Sequence, residues 1–147
     1  MKTENETLGL FVPRIATAFD QAEQIVLFQG DCLDGLRVIP SNSVKLIITS
    51  PPYNLNKVYE KRSNLEQYLR SIDPVLDELV RVLAADGSIC WQVGNYVESG
   101  EVFPLDIYYY PRFVQRNLRL RNRIIWHFEH GLHASNRLSG RYETLLW

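Results

Sequence analysis

The apolar run Val44–Thr49 drives straight into Ser50-Pro51-Pro52-Tyr53-Asn54, and this junction restricts the fold more than any other feature of the sequence. A short β-branched run predicts a strand buried on both faces. Two consecutive prolines fix two φ angles and remove two amide donors, so the strand must end there. The result is a stiff corner at a strand end. It carries the Ser50 hydroxyl, the Pro51 and Pro52 carbonyls with no N–H groups competing beside them, the Tyr53 ring and the Asn54 amide.

The rest of the chain supplies a framework for that corner. Ile25–Gln29 reads as a strand before Gly30, and Asp31 as the cap of a short helix that Pro40 ends. A long helix opens at Ser63, with Glu66 completing a capping box. Its apolar stripe runs from Leu65 to Leu83, and Pro74 predicts a kink or two abutting helices. Ser88–Gly94 is a third strand. Gly100 and Pro104 mark a turn, and Leu105–Leu118 is helical by pattern despite Pro111. Arg121–Glu129 and Arg141–Trp147 are a fourth and a fifth strand, joined by a loop containing Ser135, Asn136 and Ser139. Strands alternating with helices predict an α/β domain with a mainly parallel sheet flanked by helices. Residues 1–23 read as an arm and 24–147 as the domain. Trp147 ends an apolar strand with no polar tail, which is the expectation for a fragment.

Composition sets the function classes. The 147 residues suffice for one core, and 46% hydrophobic with 22% charged content is that of a globular chain. No apolar run approaches the ~20 residues of a membrane span, and the first residues lack a signal peptide's apolar segment. Two cysteines, Cys32 and Cys90, make no disulfide framework. A cytoplasmic location is expected. The net charge is −1, yet Arg112, Arg116, Arg119, Arg121 and Arg123 follow one another with no acid between, and Arg137 and Arg141 come soon after. Alone, such a run is a solvated helix face; beside a nucleic-acid signal it becomes a phosphate-binding surface. His127, His130 and His133 lack the thiolate or acid cluster that would complete a metal site, so no metal is expected. His130 and His133 suit phosphate or base contact if they do more than pack. Trp91 and Trp126 read as core residues on their strands.

The corner suits activation of an amino group on an aromatic ring. The lone pair of such a nitrogen is delocalised, and two acceptors taking its two hydrogens draw it toward tetrahedral geometry. Ser50 and the Pro51 carbonyl can be those acceptors while Tyr53 stacks on the ring. A duplex base reaches such a pocket only when flipped out.

"TSPPYN" resembles the (Asp/Asn/Ser)-Pro-Pro-Tyr motif of S-adenosylmethionine-dependent DNA amino-methyltransferases, which methylate the exocyclic amino group of cytosine or adenine. "FQGDCLDGLRVIPSNSVKLIITSPPYN", "RVLAADGSICWQVG" and "NRIIWHFEHGLHASNRLSGRYETLLW" resemble three of that family's segments in the order of its catalytic-half-first subclass. The likeness runs from about Val26 to Trp147. It implies a Rossmann-like sheet, catalytic roles for Ser50, Pro51, Pro52 and Tyr53, and contact of Asp31 and Cys32 with the cofactor. It also implies double-stranded DNA as partner, met by Asn54, Arg137 and Arg141, and a place in restriction-modification. Serine at position 50 leans toward the N4 amino group of cytosine over N6 of adenine. The family's glycine-rich cofactor loop is missing, since no two glycines stand two apart. The resemblance therefore implies an incomplete domain, the catalytic half, inactive until a C-terminal half is added. Two other functions compete: a non-catalytic remnant that binds DNA or a partner, and a glutamine-amide methyltransferase. The second uses Asn-Pro-Pro-Tyr and carries its glycine loop ahead of that motif.

Overall fold

In the computed structural model, residues 15–55, 58, 62–131 and 134–147 are described, and the chain divides into two compact units, 1–39 and 40–147. In the first unit, β1 (Ile15–Ala16) pairs in parallel with β2 (Ile25–Val26), and helix α1 spans Cys32–Arg37. Most of the arm read from residues 1–23 lies outside the described residues.

The second unit is built on a four-stranded sheet in the order β3-β4-β8-β7, where β3 is Val44–Thr49, β4 Leu83–Val93, β7 Arg123–His127 and β8 Tyr142–Leu146. The expected parallel pairing holds for β3 with β4, which are connected through helix α2 (Leu65–Val82); β8 runs antiparallel to both β4 and β7. The physical reason is the connection. β7 returns to β8 through residues 128–141, whose described residues contain no crossover helix, and such a return gives antiparallel neighbours.

Helix α2 opens one residue later than the capping-box reading expects. Asn64 is the cap, accepting from the Gln67 amide at 2.9 Å. The helix passes through Pro74 without a break, and α3 (Leu105–Gln115) likewise contains Pro111. In each case the proline and the residue four before it, Arg70 or Ile107, are exposed, so water can take the carbonyl that loses its amide partner. Between β4 and α3, the expected turn is a hairpin, β5 (Asn95–Glu98) with β6 (Glu101–Pro104). Its central residues, Ser99 and Gly100, both have positive φ, 50° and 85°, as two-residue hairpin turns of this hand require.

The core lies on one face of the sheet. Ile89, Trp91 and Val93 of β4, Leu69, Leu76 and Leu79 of α2, and Tyr109 and Phe113 of α3 are all buried. Trp91 packs against the Tyr109 and Phe113 rings at centroid distances of 5.1 and 5.6 Å. Period-two alternation sends Leu46 and Ile48 of β3, and Ile124 and Trp126 of β7, to the opposite face, where they are exposed. Trp126 is thus corrected from a core residue to an exposed one, because it stands on an edge strand and on the face that α2 and α3 leave open. Among the described residues, no helix is long and apolar enough to cross a membrane.

Candidate active site

The Pro-Pro corner sits at the carboxyl end of β3, where parallel α/β sheets bind ligands. Ser50, Pro51, Pro52, Tyr53 and Leu55 line a cavity of about 230 Å³. The Ser50 Oγ and Tyr53 Oη are 2.6 Å apart, so the two hydroxyls form one hydrogen-bonded pair. Tyr53 Oη also donates to Glu143 Oε2 at 3.2 Å, and Gln92 Nε2 donates to the same oxygen at 2.6 Å. Gly94 lies beside this group: a Cβ there would stand 3.2 Å from the Tyr53 ring, a tight contact, and 3.4 Å from Glu143 Oε1, an ordinary one.

The two proline carbonyls, equivalent in the sequence, have different roles in the fold. Tyr68 Oη donates to the Pro52 carbonyl at 2.5 Å, and Tyr109 Oη donates to Tyr68 Oη at 2.7 Å. A buried phenol chain from α3 through α2 therefore holds the corner from behind. Burial, first, and the Tyr68 phenol, second, push the Tyr109 hydroxyl's pKa far up, so it stays a donor. Pro51 is buried, and among the described residues none hydrogen-bonds its carbonyl.

Asn54 has left-handed backbone, φ 62°, and its side chain is buried. Its amide donates to the Ser63 carbonyl at 2.6 Å and accepts from the Ser63 amide at 2.8 Å. That pair of bonds clamps the loop between β3 and α2, so the side chain expected to meet DNA is committed to the loop's base. Asp31 caps α1 in the first unit, its Oδ1 accepting from the Leu33 amide at 2.8 Å. The neighbouring Cys32 thiol is raised in pKa by partial burial and then by the Asp31 charge, which makes it a poor nucleophile.

The arginine run resolves into structural and exposed members. Arg116 pairs with Asp77 at 2.7 Å and Asp73 at 3.2 Å, Arg112 approaches Asp73 at 3.4 Å, and Arg123 pairs with the buried Asp106 at 2.6 Å. These three join α3 to α2 and to β7; the phosphate-surface reading is corrected for them, because each has acids from another element across from it. Arg119, Arg121, Arg137 and Arg141 are exposed. Arg137 and Arg141 lie on the return from β7 to β8, whose neck is tight: a Cβ on Gly131 would stand 2.6 Å from the Gly140 carbonyl. His130 is exposed, and His133 lies outside the described residues. No group of three metal-binding side chains occurs among the described residues. Sequence reasoning missed Gln92 and Glu143 as site residues. The only signal for them was strand alternation, which puts both on the open face.

A family model described as DNA methylase matches residues 44–147. The type II methyltransferase M.BglII of Bacillus subtilis is 43% identical over the whole of this chain, which covers 40% of that protein. Among solved structures, a DNA modification methylase of Thermus thermophilus, complexed with S-adenosyl-L-methionine, aligns with a TM-score of 0.65 at 28% identity, covering 80% of this chain and 49% of that one. PvuII DNA methyltransferase, cytosine-N4-specific, aligns with a TM-score of 0.69 at 23% identity, covering 82% and 47%, and at that identity it bears on the fold alone. The chain thus spans 40% to 49% of the length of these relatives.

Proposed function

Because the chain belongs to the DNA methylase family, we propose that residues 24–147 are the catalytic half of a Rossmann-like DNA amino-methyltransferase domain of the restriction-modification kind. Its substrate is the exocyclic amino group of a base flipped from double-stranded DNA, N4 of cytosine ahead of N6 of adenine, in the cytoplasm. The observation that carries this reading is the cavity at the carboxyl end of β3, lined by Ser50, Pro51, Pro52 and Tyr53, with the Ser50 and Tyr53 hydroxyls paired beside it.

The two acceptors take the two amino hydrogens, and the Tyr53 ring stacks on the base. The nitrogen's lone pair is thereby turned out of the ring system and presented to the methyl donor, and Ser50 Oγ stands where an amino proton departs. S-adenosylmethionine, when bound, supplies the electrophilic methyl group. The sequence resemblance assigns Asp31 and Cys32 to the adenine end of that cofactor. Asp31 uses Oδ1 for its cap and has a second carboxylate oxygen for the adenine end, with Cys32 beside it. For the methionine end the sequence offers no glycine-rich loop. Arg137 and Arg141 are exposed and suited to phosphate, and Asn54 supports the corner through its clamp on Ser63.

The open face of the sheet supports a domain completed by further chain. Leu46 and Ile48 at one edge of the sheet and Ile124 and Trp126 at the other are exposed on the face away from α2 and α3, and layered α/β domains bury both faces. A non-catalytic binding remnant is the second reading, favoured by the missing glycine loop. Calorimetric titration of S-adenosylmethionine, followed by transfer of labelled methyl to DNA, separates them. The 147-residue chain alone is expected to transfer no methyl group, and activity is expected on adding the remaining half. Transfer by the chain alone refutes the half-enzyme reading; silence after the half is added refutes the enzyme.

A further inference from the structure

We infer that Glu143 is a positioning residue that sets the hydrogen-bond direction of the Ser50–Tyr53 pair and so makes Ser50 an acceptor toward the target amino group. The inference rests on the methyl-transfer reading and extends it. A serine hydroxyl and a phenol 2.6 Å apart are ambiguous, because either can donate to the other. If Tyr53 donated to Ser50, the serine proton would point into the cavity and repel an incoming N–H. The pocket would then favour a carbonyl-bearing base.

Glu143 removes the ambiguity. A carboxylate offers lone pairs and no proton, so Tyr53 must donate along the 3.2 Å contact to Oε2. Its single proton is then committed. The competing acceptor, the Gln92 carbonyl at 3.5 Å, is too far to hold it as well. Tyr53 Oη then accepts from Ser50, whose proton turns inward and leaves its remaining lone pair facing the cavity. Gln92 fixes the carboxylate by donating its side-chain amide to the same oxygen at 2.6 Å.

The fold delivers these groups from distant chain positions. Glu143 is 90 residues from Tyr53 in sequence. The β4–β8 register sets Gln92 opposite Leu145, which brings Glu143 to the carboxyl end of β4 on the open face. The bare Cα of Gly94 leaves room for the Tyr53 ring.

The test uses the assembled methyltransferase, residues 1–147 with the remaining half, acting on unmethylated duplex DNA. Labelled methyl transfer is followed in single turnovers at saturating S-adenosylmethionine. Glu143→Leu offers no acceptor, whereas Glu143→Gln retains a carbonyl oxygen that Tyr53 can donate to. The expected result is a loss of methyl-transfer rate of roughly 10- to 100-fold for Glu143→Leu, the scale that misplacing a reacting group carries. Glu143→Gln should stay within about fivefold of the unsubstituted enzyme, one neutral hydrogen bond's worth. Dissociation constants for DNA and cofactor, and melting temperatures, should be unchanged in both. Glu143→Leu reacting at the unsubstituted rate overturns the assignment while leaving methyl transfer intact. Equal losses in both variants, or a loss accompanied by weaker binding or a lowered melting temperature, assign Glu143 to structural support and overturn it too. An unsubstituted enzyme that transfers no methyl overturns the parent reading, and the assignment with it.

Discussion

Replacing Tyr68 with phenylalanine removes one oxygen and breaks two hydrogen bonds, and the two losses differ in kind. The Tyr109 hydroxyl, donating at 2.7 Å, lies within a fully buried residue and is left without an acceptor. A stranded buried donor costs about 1–3 kcal/mol. The Pro52 carbonyl loses its 2.5 Å donor, but Pro52 is exposed and water can reach it, so this loss is about 0.5–1.5 kcal/mol. Tyr68→Phe should therefore destabilise the chain by roughly 2–4 kcal/mol. Tyr109→Phe removes only the first bond and strands nothing, because Tyr68 still donates to Pro52; its cost should be about 0.5–1.5 kcal/mol. The double variant leaves only the partly hydrated carbonyl unpaired. It should be no less stable than Tyr68→Phe alone, with a coupling of about 1 kcal/mol or more across the cycle. Urea unfolding with linear extrapolation measures all three differences. Additive costs, or a Tyr68→Phe no worse than Tyr109→Phe, would refute the claim that a buried phenol chain holds the corner.

The same phenol gives a pH dependence. Folding raises the Tyr109 pKa, so its contribution is complete below the unfolded tyrosine value of ~10 and is lost as pH rises above it. Tyr109→Phe should flatten the fall of unfolding free energy above that pH by about one proton's slope, and an unchanged slope would count against it. In the assembled enzyme, Tyr53→Ala should lose base stacking of ~1–3 kcal/mol, read as a slower single-turnover methylation, and an unaffected rate removes Tyr53 from the site. Changing Arg137 and Arg141 together to alanine should lower the log–log salt slope of DNA binding by roughly 0.9 for each phosphate they neutralise. Arg116→Ala should leave that slope alone and reduce stability instead, since its guanidinium is held by Asp73 and Asp77.

Much of the frame was legible because local chemistry and tertiary packing agree there. Val44–Thr49 is a strand with the bounds its β-branched run gives, and the prolines end it, but the burial on both faces expected of it is corrected: Leu46 and Ile48 are exposed on the face that α2 and α3 leave open. The hairpin at Asn95–Pro104 was not legible as strands, although its Ser99-Gly100 turn is a recognisable signal; Gly100 and Pro104 read as punctuation while the alternation beside them was short. At Pro74, where a kink or two abutting helices are expected, the chain forms one helix, Leu65–Val82, and α3 is helical across Pro111 as its pattern predicts. A proline predicts a kink from what it removes, but an exposed carbonyl loses little when water replaces the amide, and the apolar stripe on the far side carries the helix through.

The site divides along the same line. Ser50, Pro51 and Tyr53 are contiguous, so their shared corner is a property of local sequence. Glu143 and Gln92 belong to it only through the strand order β3-β4-β8, and no spacing rule connects positions 53, 92 and 143. Asn54 shows the converse. Its place in the motif makes it look like a contact for DNA, yet its left-handed backbone turns the amide inward, onto both backbone groups of Ser63. Charge was the least legible property. Arg116 and Arg137 look alike along a basic stretch of sequence, and only the helix pairing of α2 with α3 distinguishes them. It brings Asp73 and Asp77 against the first, while the loop carrying the second leaves it exposed. A basic run therefore reports a phosphate surface only after the acids of neighbouring elements have been placed, which the one-dimensional pattern does not do.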